Sequence, residues 1–147
     1  MAWKGKFRPL NPGKYRGKDL NNIIYRSSLE LRFMRYCDTS SRVVWWSSEE
    51  VVVPYYDPVK KKQRRYFPDF VLCRLTPEGE EEKIMVEIKM ARESLPPTHY
   101  KGKRKARVIS EELTWRTNQA KWAAARLFCN KYNLRFELVD EKVVARL

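Results

Sequence analysis

Two stretches that otherwise read as buried β-strand each carry a carboxylate, and the second carries a lysine as well. The first is Tyr66 to Leu75, with Pro68-Asp69 near its start. The second is Lys83 to Met90, which contains Val86-Glu87-Ile88-Lys89. Between them, Thr76-Pro77-Glu78-Gly79 has proline second and glycine fourth, so the strands are expected to pair as a hairpin. An unpaired carboxylate inside such strands is costly, so each needs a partner or a task. Strand alternation sets Glu87 and Lys89 on one face and Val86 and Ile88 on the other. Asp69 falls on the partner strand or just before it. Three charged groups can therefore converge on one spot of an apolar sheet.

Two carboxylates a few ångströms apart repel, so each is hard to ionise alone. A divalent cation resolves that conflict. Ligation by carboxylates and a backbone carbonyl suits Mg²⁺, which keeps several waters. Such an ion polarises a phosphodiester and acidifies a bound water. A nearby lysine can position that water or stabilise transition-state charge. The plainer alternative is an ion pair of Lys89 with Glu87 or Asp69 inside the sheet. Asp, Glu and Lys are common, so the spacing alone does not choose between them.

The charge balance favours the first. Lysine and arginine total 31 against 18 acidic residues, a net +13 on 147 residues, which points to a polyanionic partner and to nucleic acid first. The length suits one domain. No apolar run approaches the ~20 residues that a membrane span needs. No basic amphipathic helix with an aromatic face suggests a membrane surface either. Met1 to Lys18 is basic without an apolar run, so no secretory signal is expected. Cys37, Cys73 and Cys129 are far apart and His99 is the single histidine, which argues against structural zinc and against a disulfide framework. The thiols are expected in the core, in a reducing compartment.

The remaining elements are read in order. Residues 1–24 suggest an extended basic arm. In it Lys4, Lys6, Arg8, Lys14, Arg16 and Lys18 are interleaved with Trp3, Phe7 and Tyr15, and Pro9, Pro12 and Gly13 break any helix. Either the arm stacks on bases, or its aromatics pin it to the domain of residues 25–147. Residues 28–38 suit a helix, with Ser27 and Glu30 spaced as a capping box. On its own, Glu30 reads as that cap. Val43 to Trp46 and Val51 to Tyr56 suit strands, and Asp57 to Arg65 a basic hairpin tip. Ala91 to Val108 lacks periodicity and carries Lys101, Lys103, Arg104, Lys105 and Arg107, as a phosphate-contacting loop or a solvated one. A helix is expected from Ser110, or from near Thr117, with Leu113, Ala120, Ala124 and Leu127 as its apolar stripe. Asn118 and Lys121 fall on another face. Asn133 suits its stop, and Leu134 to Val139 a last strand. The order implies an α/β fold, a central mixed β-sheet with helices beside it.

The succession Glu30, Pro68-Asp69, Glu87-Ile88-Lys89 resembles the PD-(D/E)XK nuclease superfamily, with its restriction-endonuclease-like core. Further stretches resemble the T4-type phage head completion nucleases within it. They are Lys14-Tyr15-Arg16-Gly17, Tyr25-Arg26-Ser27, Val53-Pro54-Tyr55, Arg64-Arg65-Tyr66-Phe67, and Asn118 with Lys121-Trp122. The resemblance implies Asp69 and Glu87 as metal ligands, helped by the Ile88 carbonyl, and Lys89 as the catalytic lysine. It implies Glu30 as the helix acid that completes the site, and Mg²⁺ or Mn²⁺ as cofactor. Arg26, Arg64, Arg65, Lys101, Lys103, Arg104 and Lys121 are the expected DNA contacts. The implied function is hydrolysis of phosphodiester bonds in double-stranded, packaged phage DNA during head completion. That would occur in the host cytoplasm or on the virion, beside portal or head–neck proteins, and away from membranes. The rival expectation is a non-catalytic protein that binds DNA ends and plugs the portal. A ribosomal-type RNA-binding protein is a third, and would need no acidic cluster.

Overall fold

The computed structural model describes residues 4–147. In chain order the strands and helices are β1 (Gly5–Phe7), β2 (Ile23–Tyr25), α1 (Ser28–Thr39), β3 (Val43–Ser48), β4 (Val53–Asp57), β5 (Lys62–Tyr66), β6 (Phe70–Leu75), β7 (Glu81–Ile88), α2 (Lys105–Tyr132), β8 (Arg135–Val139) and α3 (Glu141–Ala145). Single 3-10 turns occupy Pro12–Lys14 and Ala91–Ser94.

Four strands form the central sheet in the order β3-β6-β7-β8. β6 runs antiparallel to both β3 and β7, and β8 runs parallel to β7 after the α2 crossover. The sheet is therefore mixed and flanked by helices, as the sequence suggests. The β6–β7 turn closes through Gly79 N–H to the Thr76 carbonyl at 2.9 Å, with Gly79 at φ 85°. A left-handed φ of that kind suits glycine.

The two faces of the sheet bury different elements. Phe70 and Leu72 of β6, with Ile84, Val86 and Ile88 of β7, pack against α1, α3 and the first hairpin. Val71 and Met85 point the other way, onto Trp122, Ala125 and Cys129 of α2 and Tyr55 and Tyr66 of β4–β5. This is the period-2 alternation of a sheet covered on both sides. By the same parity Asp69 and Glu87 belong to the α2 face.

Several boundaries differ from the sequence reading. Tyr66 closes β5 rather than opening β6, because Pro68 has no N–H to donate and the chain leaves one sheet for another at Phe67–Asp69. The basic tip shrinks to residues 58–61, since Lys62, Arg64 and Arg65 are paired strand residues opposite Asp57, Tyr55 and Pro54. Helix α2 begins at Lys105, earlier than Ser110, so Lys105 and Arg107 are helical. Its buried stripe is Asn118, Trp122, Ala125 and Cys129, while Leu127 is 72% exposed. The stripe turns toward Trp122 because a fully buried indole outweighs a leucine in apolar area. Asn133 ends α2 in the left-handed region, at φ 59°. Helix α3 has no counterpart among the elements expected from the sequence. Its N-cap is Asp140, whose carboxylate accepts from the Lys142 and Val143 N–H groups at 3.0 Å each.

Within residues 4–24 the chain folds back on the domain. β1 pairs with β2, Tyr15 packs edge-on to Trp46 at 4.7 Å, and the Leu10 and Asn11 N–H groups donate to the buried Asp38 carboxylate at 2.8 and 2.9 Å. Phe7 and Tyr15 thus take the pinning role. Trp3 lies outside the described residues.

Candidate active site

Asp69 and Glu87 meet because of register. The last β6–β7 pair is Phe70 with Val86, so Asp69 and Glu87 stand one step beyond it, where β6 begins and β7 ends. The Ile88 N–H donates to Asp69 Oδ2 at 2.7 Å, fastening the two strand ends together. The Asp69 carbonyl in turn accepts from the Glu49 N–H at 3.0 Å. Lys89 follows, with Nζ 3.6 Å from Glu87 Oε2.

The other Glu87 oxygen is held by a residue to which the sequence reading gave no role. Tyr66, at the end of β5, donates its hydroxyl to Glu87 Oε1 at 2.7 Å. Lys121 lies over the same ring, Nζ 5.7 Å from its centre. The signal in the sequence was Tyr66 beside Pro68-Asp69, but its partner is 21 residues away on another sheet.

Burial and the facing Glu87 charge push the Asp69 carboxyl well above the usual carboxylate range, and the Ile88 N–H draws it back only in part. Burial also raises Glu87, against the Tyr66 hydroxyl and the Lys89 and Lys121 charges, which favour its ionised form. Burial raises the Tyr66 hydroxyl, and the Glu87 charge raises it further. Lys121 is lowered by burial, opposed by Glu87. Burial thus disfavours the ionised form of both acids, and positive charge placed near them favours it.

Glu30 sits in the first turn of α1, a helix whose buried side packs on the sheet face opposite α2. It is the cap that the sequence reading allowed. Its N–H donates to Ser27 Oγ at 3.1 Å, and its carboxylate accepts from Ser27 Oγ and the Arg26 N–H, each at 3.3 Å. Burial raises it, opposed first by the Arg26 N–H. Its charge still reaches Asp69. Arg26 is ion-paired with Glu49, so that cation is already engaged.

Among the described residues, no three acidic, histidine or cysteine side chains gather as a metal-holding cluster. The donor set that is assembled consists of Asp69 and Glu87. Hard oxygen donors with two carboxylates fit Mg²⁺ or Mn²⁺, because Mg²⁺ commonly takes one or two carboxylates and completes its shell with water and phosphate.

The expected DNA contacts divide. Lys121 joins the site. Arg65 is exposed, 5.7 Å over the Phe67 ring, and Lys101 and Arg104 are exposed on the loop. Arg64 pairs with buried Asp57 at 3.3 Å. The Lys103 side chain is 3% exposed, pairs with Glu111 at 2.8 Å and donates to the Thr98 carbonyl, which straps the loop to α2.

Residues 40–141 match the sequence profile of a family described as TnsA-like endonuclease N terminal. The head completion nuclease of Enterobacteria phage T4 is 35% identical over 144 residues, covering 96% of this chain and 93% of that protein. No helix of the described residues is long and apolar enough to cross a membrane. A central mixed sheet flanked by helices agrees with both similarities. The chain belongs to the T4-type head completion nucleases, on the restriction-endonuclease-like fold of the TnsA-like endonucleases.

Proposed function

We propose that the protein is a metal-dependent DNA nuclease that hydrolyses phosphodiester bonds in double-stranded DNA during phage head completion. The observation that carries this reading is the pair Asp69 and Glu87, each raised above its ordinary value at the end of adjacent strands, with Lys89 3.6 Å from Glu87. Asp69, Glu87 and the Ile88 carbonyl would hold Mg²⁺ or Mn²⁺, which when bound supplies the charge that ionises both acids and polarises the phosphodiester.

The chain's own groups divide the remaining work. Tyr66 occupies Glu87 Oε1, leaving Oε2 toward Lys89. The Lys89 ammonium holds the attacking water and stabilises charge on the phosphoryl oxygens as the P–O bond breaks. Lys121, half-buried beside Glu87, draws the phosphate backbone to the site. Glu30 acts through its charge on Asp69, directly or through water. The setting is packaged phage DNA in the host cytoplasm, or on the virion beside portal or head–neck proteins.

Plasmid DNA with Mg²⁺ provides the test. Wild type should nick it, the chelated protein should not, and Glu87→Ala and Lys89→Ala should lose nearly all activity while staying folded. Equal cutting by all three proteins would remove catalysis from the account and favour a DNA-end-binding plug.

A further inference from the structure

Residues 95–104 return over the first half of α2, and between them lies a groove of about 620 Å³. That volume falls in the range of small-ligand sites, about 300–1,000 Å³. The groove adjoins the active site along two stretches of chain. Its Arg92 follows Lys89 by three residues. Its Asn118 precedes Lys121 by one turn of α2, a rise of about 4.5 Å.

Two of the three cations that line the groove are engaged within the protein. Lys103 and Arg107 both pair with Glu111, at 2.8 and 3.2 Å, and Arg107 also donates to the Tyr100 hydroxyl at 3.2 Å. Beyond Arg92, what the groove leaves open is flat and amide-bearing. Tyr100 is 56% exposed. Trp115 is half-buried and braced edge-on against Trp122, with ring centres 6.4 Å apart. Asn118 is only 9% exposed and lines the groove, and among the described residues no hydrogen bond engages its side-chain amide. That amide keeps both donors and an acceptor for a ligand. Aromatic faces beside such an amide match a nucleobase, which stacks through its face and is hydrogen-bonded along its edge. A base still paired and stacked in duplex presents neither its face nor its Watson–Crick edge.

We propose that this groove holds an unpaired base of the DNA strand that runs through the active site, so that the favoured substrate carries a single-stranded stretch beside the cut. The proposal rests on the nuclease reading for its catalytic consequence, though not for binding.

The full chain is first tested in EDTA, where cutting is absent, by fluorescence anisotropy with an oligo-dT single strand and a blunt duplex of equal length. Tyr100→Ala should weaken the single strand about five-fold or more, the lower end of the loss on removing a stacking aromatic, and leave the duplex unchanged. Tyr100→Phe should restore it, and Asn118→Ala should weaken it again. In Mg²⁺, wild type should cut a gapped duplex faster than an intact one, and Tyr100→Ala should erase that preference. Single-strand binding indifferent to both Tyr100→Ala and Asn118→Ala would overturn the proposal, even if plasmid is cut. Selective loss of single-strand binding by a protein that never cuts would instead overturn the nuclease reading and leave the groove assigned.

Discussion

Tyr66→Phe isolates one oxygen atom at the site. Tyr66 is 5% exposed, and the substitution keeps the ring, so packing is retained. What is lost is a 2.7 Å hydrogen bond to a buried carboxylate. A bond to a charged group contributes about 1.5–3 kcal/mol. For a chain of this size each kcal/mol moves Tm by about 2–4 °C, so the metal-free variant should melt roughly 3–12 °C lower where Glu87 is ionised. The pH effect has a definite sign. The hydroxyl favours ionised Glu87, so its removal raises that carboxyl further and shifts the acid limb of the pH–rate profile upward. At 1.36 kcal/mol per pH unit, the shift is about one to two units. Loss of an orienting partner should weaken metal affinity by roughly 10–100-fold. Thermal unfolding without metal, Mg²⁺ titration by calorimetry, and plasmid nicking across the neutral range measure the three effects. An unchanged acid limb together with an unchanged Tm would refute the claim that Tyr66 holds Glu87.

Asp69→Asn tests the charge conflict directly. Because the Asp69 carboxyl is raised on folding, the unfolded chain releases that proton first. Stability of the metal-free protein should therefore fall as pH rises from the ordinary carboxylate range through the raised value. Asp69→Asn should lessen this slope, melt above wild type at neutral pH, and lose cutting; a variant that melts lower would contradict the argument. Asp38→Ala leaves the Leu10 and Asn11 N–H groups without their acceptor and should cost about 2–3 kcal/mol, with new protease cleavage within residues 8–20. Lys121→Ala should make the log-affinity slope against log salt shallower by about 0.9 on duplex DNA. Lys103→Ala should leave that slope unchanged and instead expose residues 95–104 to protease, because its ammonium is engaged by Glu111 and Thr98.

The spacing of Asp69, Glu87 and Lys89 was legible because a hairpin is a local structure: the turn sets the register, and register sets the faces. The Ser27–Glu30 cap was legible for the same reason, since both partners lie within one helical turn. The Glu30 carboxylate is hydrogen-bonded at its helix start, and its charge raises Asp69 as well. Helix starts and strand ends were less legible. The step from β5 to β6 at Pro68, and the start of α2 at Lys105, depend on which sheet or loop each segment packs against.

By itself, then, the amino-acid sequence determined a basic α/β domain with two strand-borne acids and a lysine on a common face, because alternation and turn chemistry act over a few residues. Only the tertiary structure decided which oxygens of those acids are already taken. Tyr66 reaches Glu87 from a second sheet, Lys121 arrives on the crossover helix, and Lys103 is withdrawn from solvent by Glu111. Such pairings join residues distant in the chain, and burial against α2 sets their energies. No local pattern encodes either.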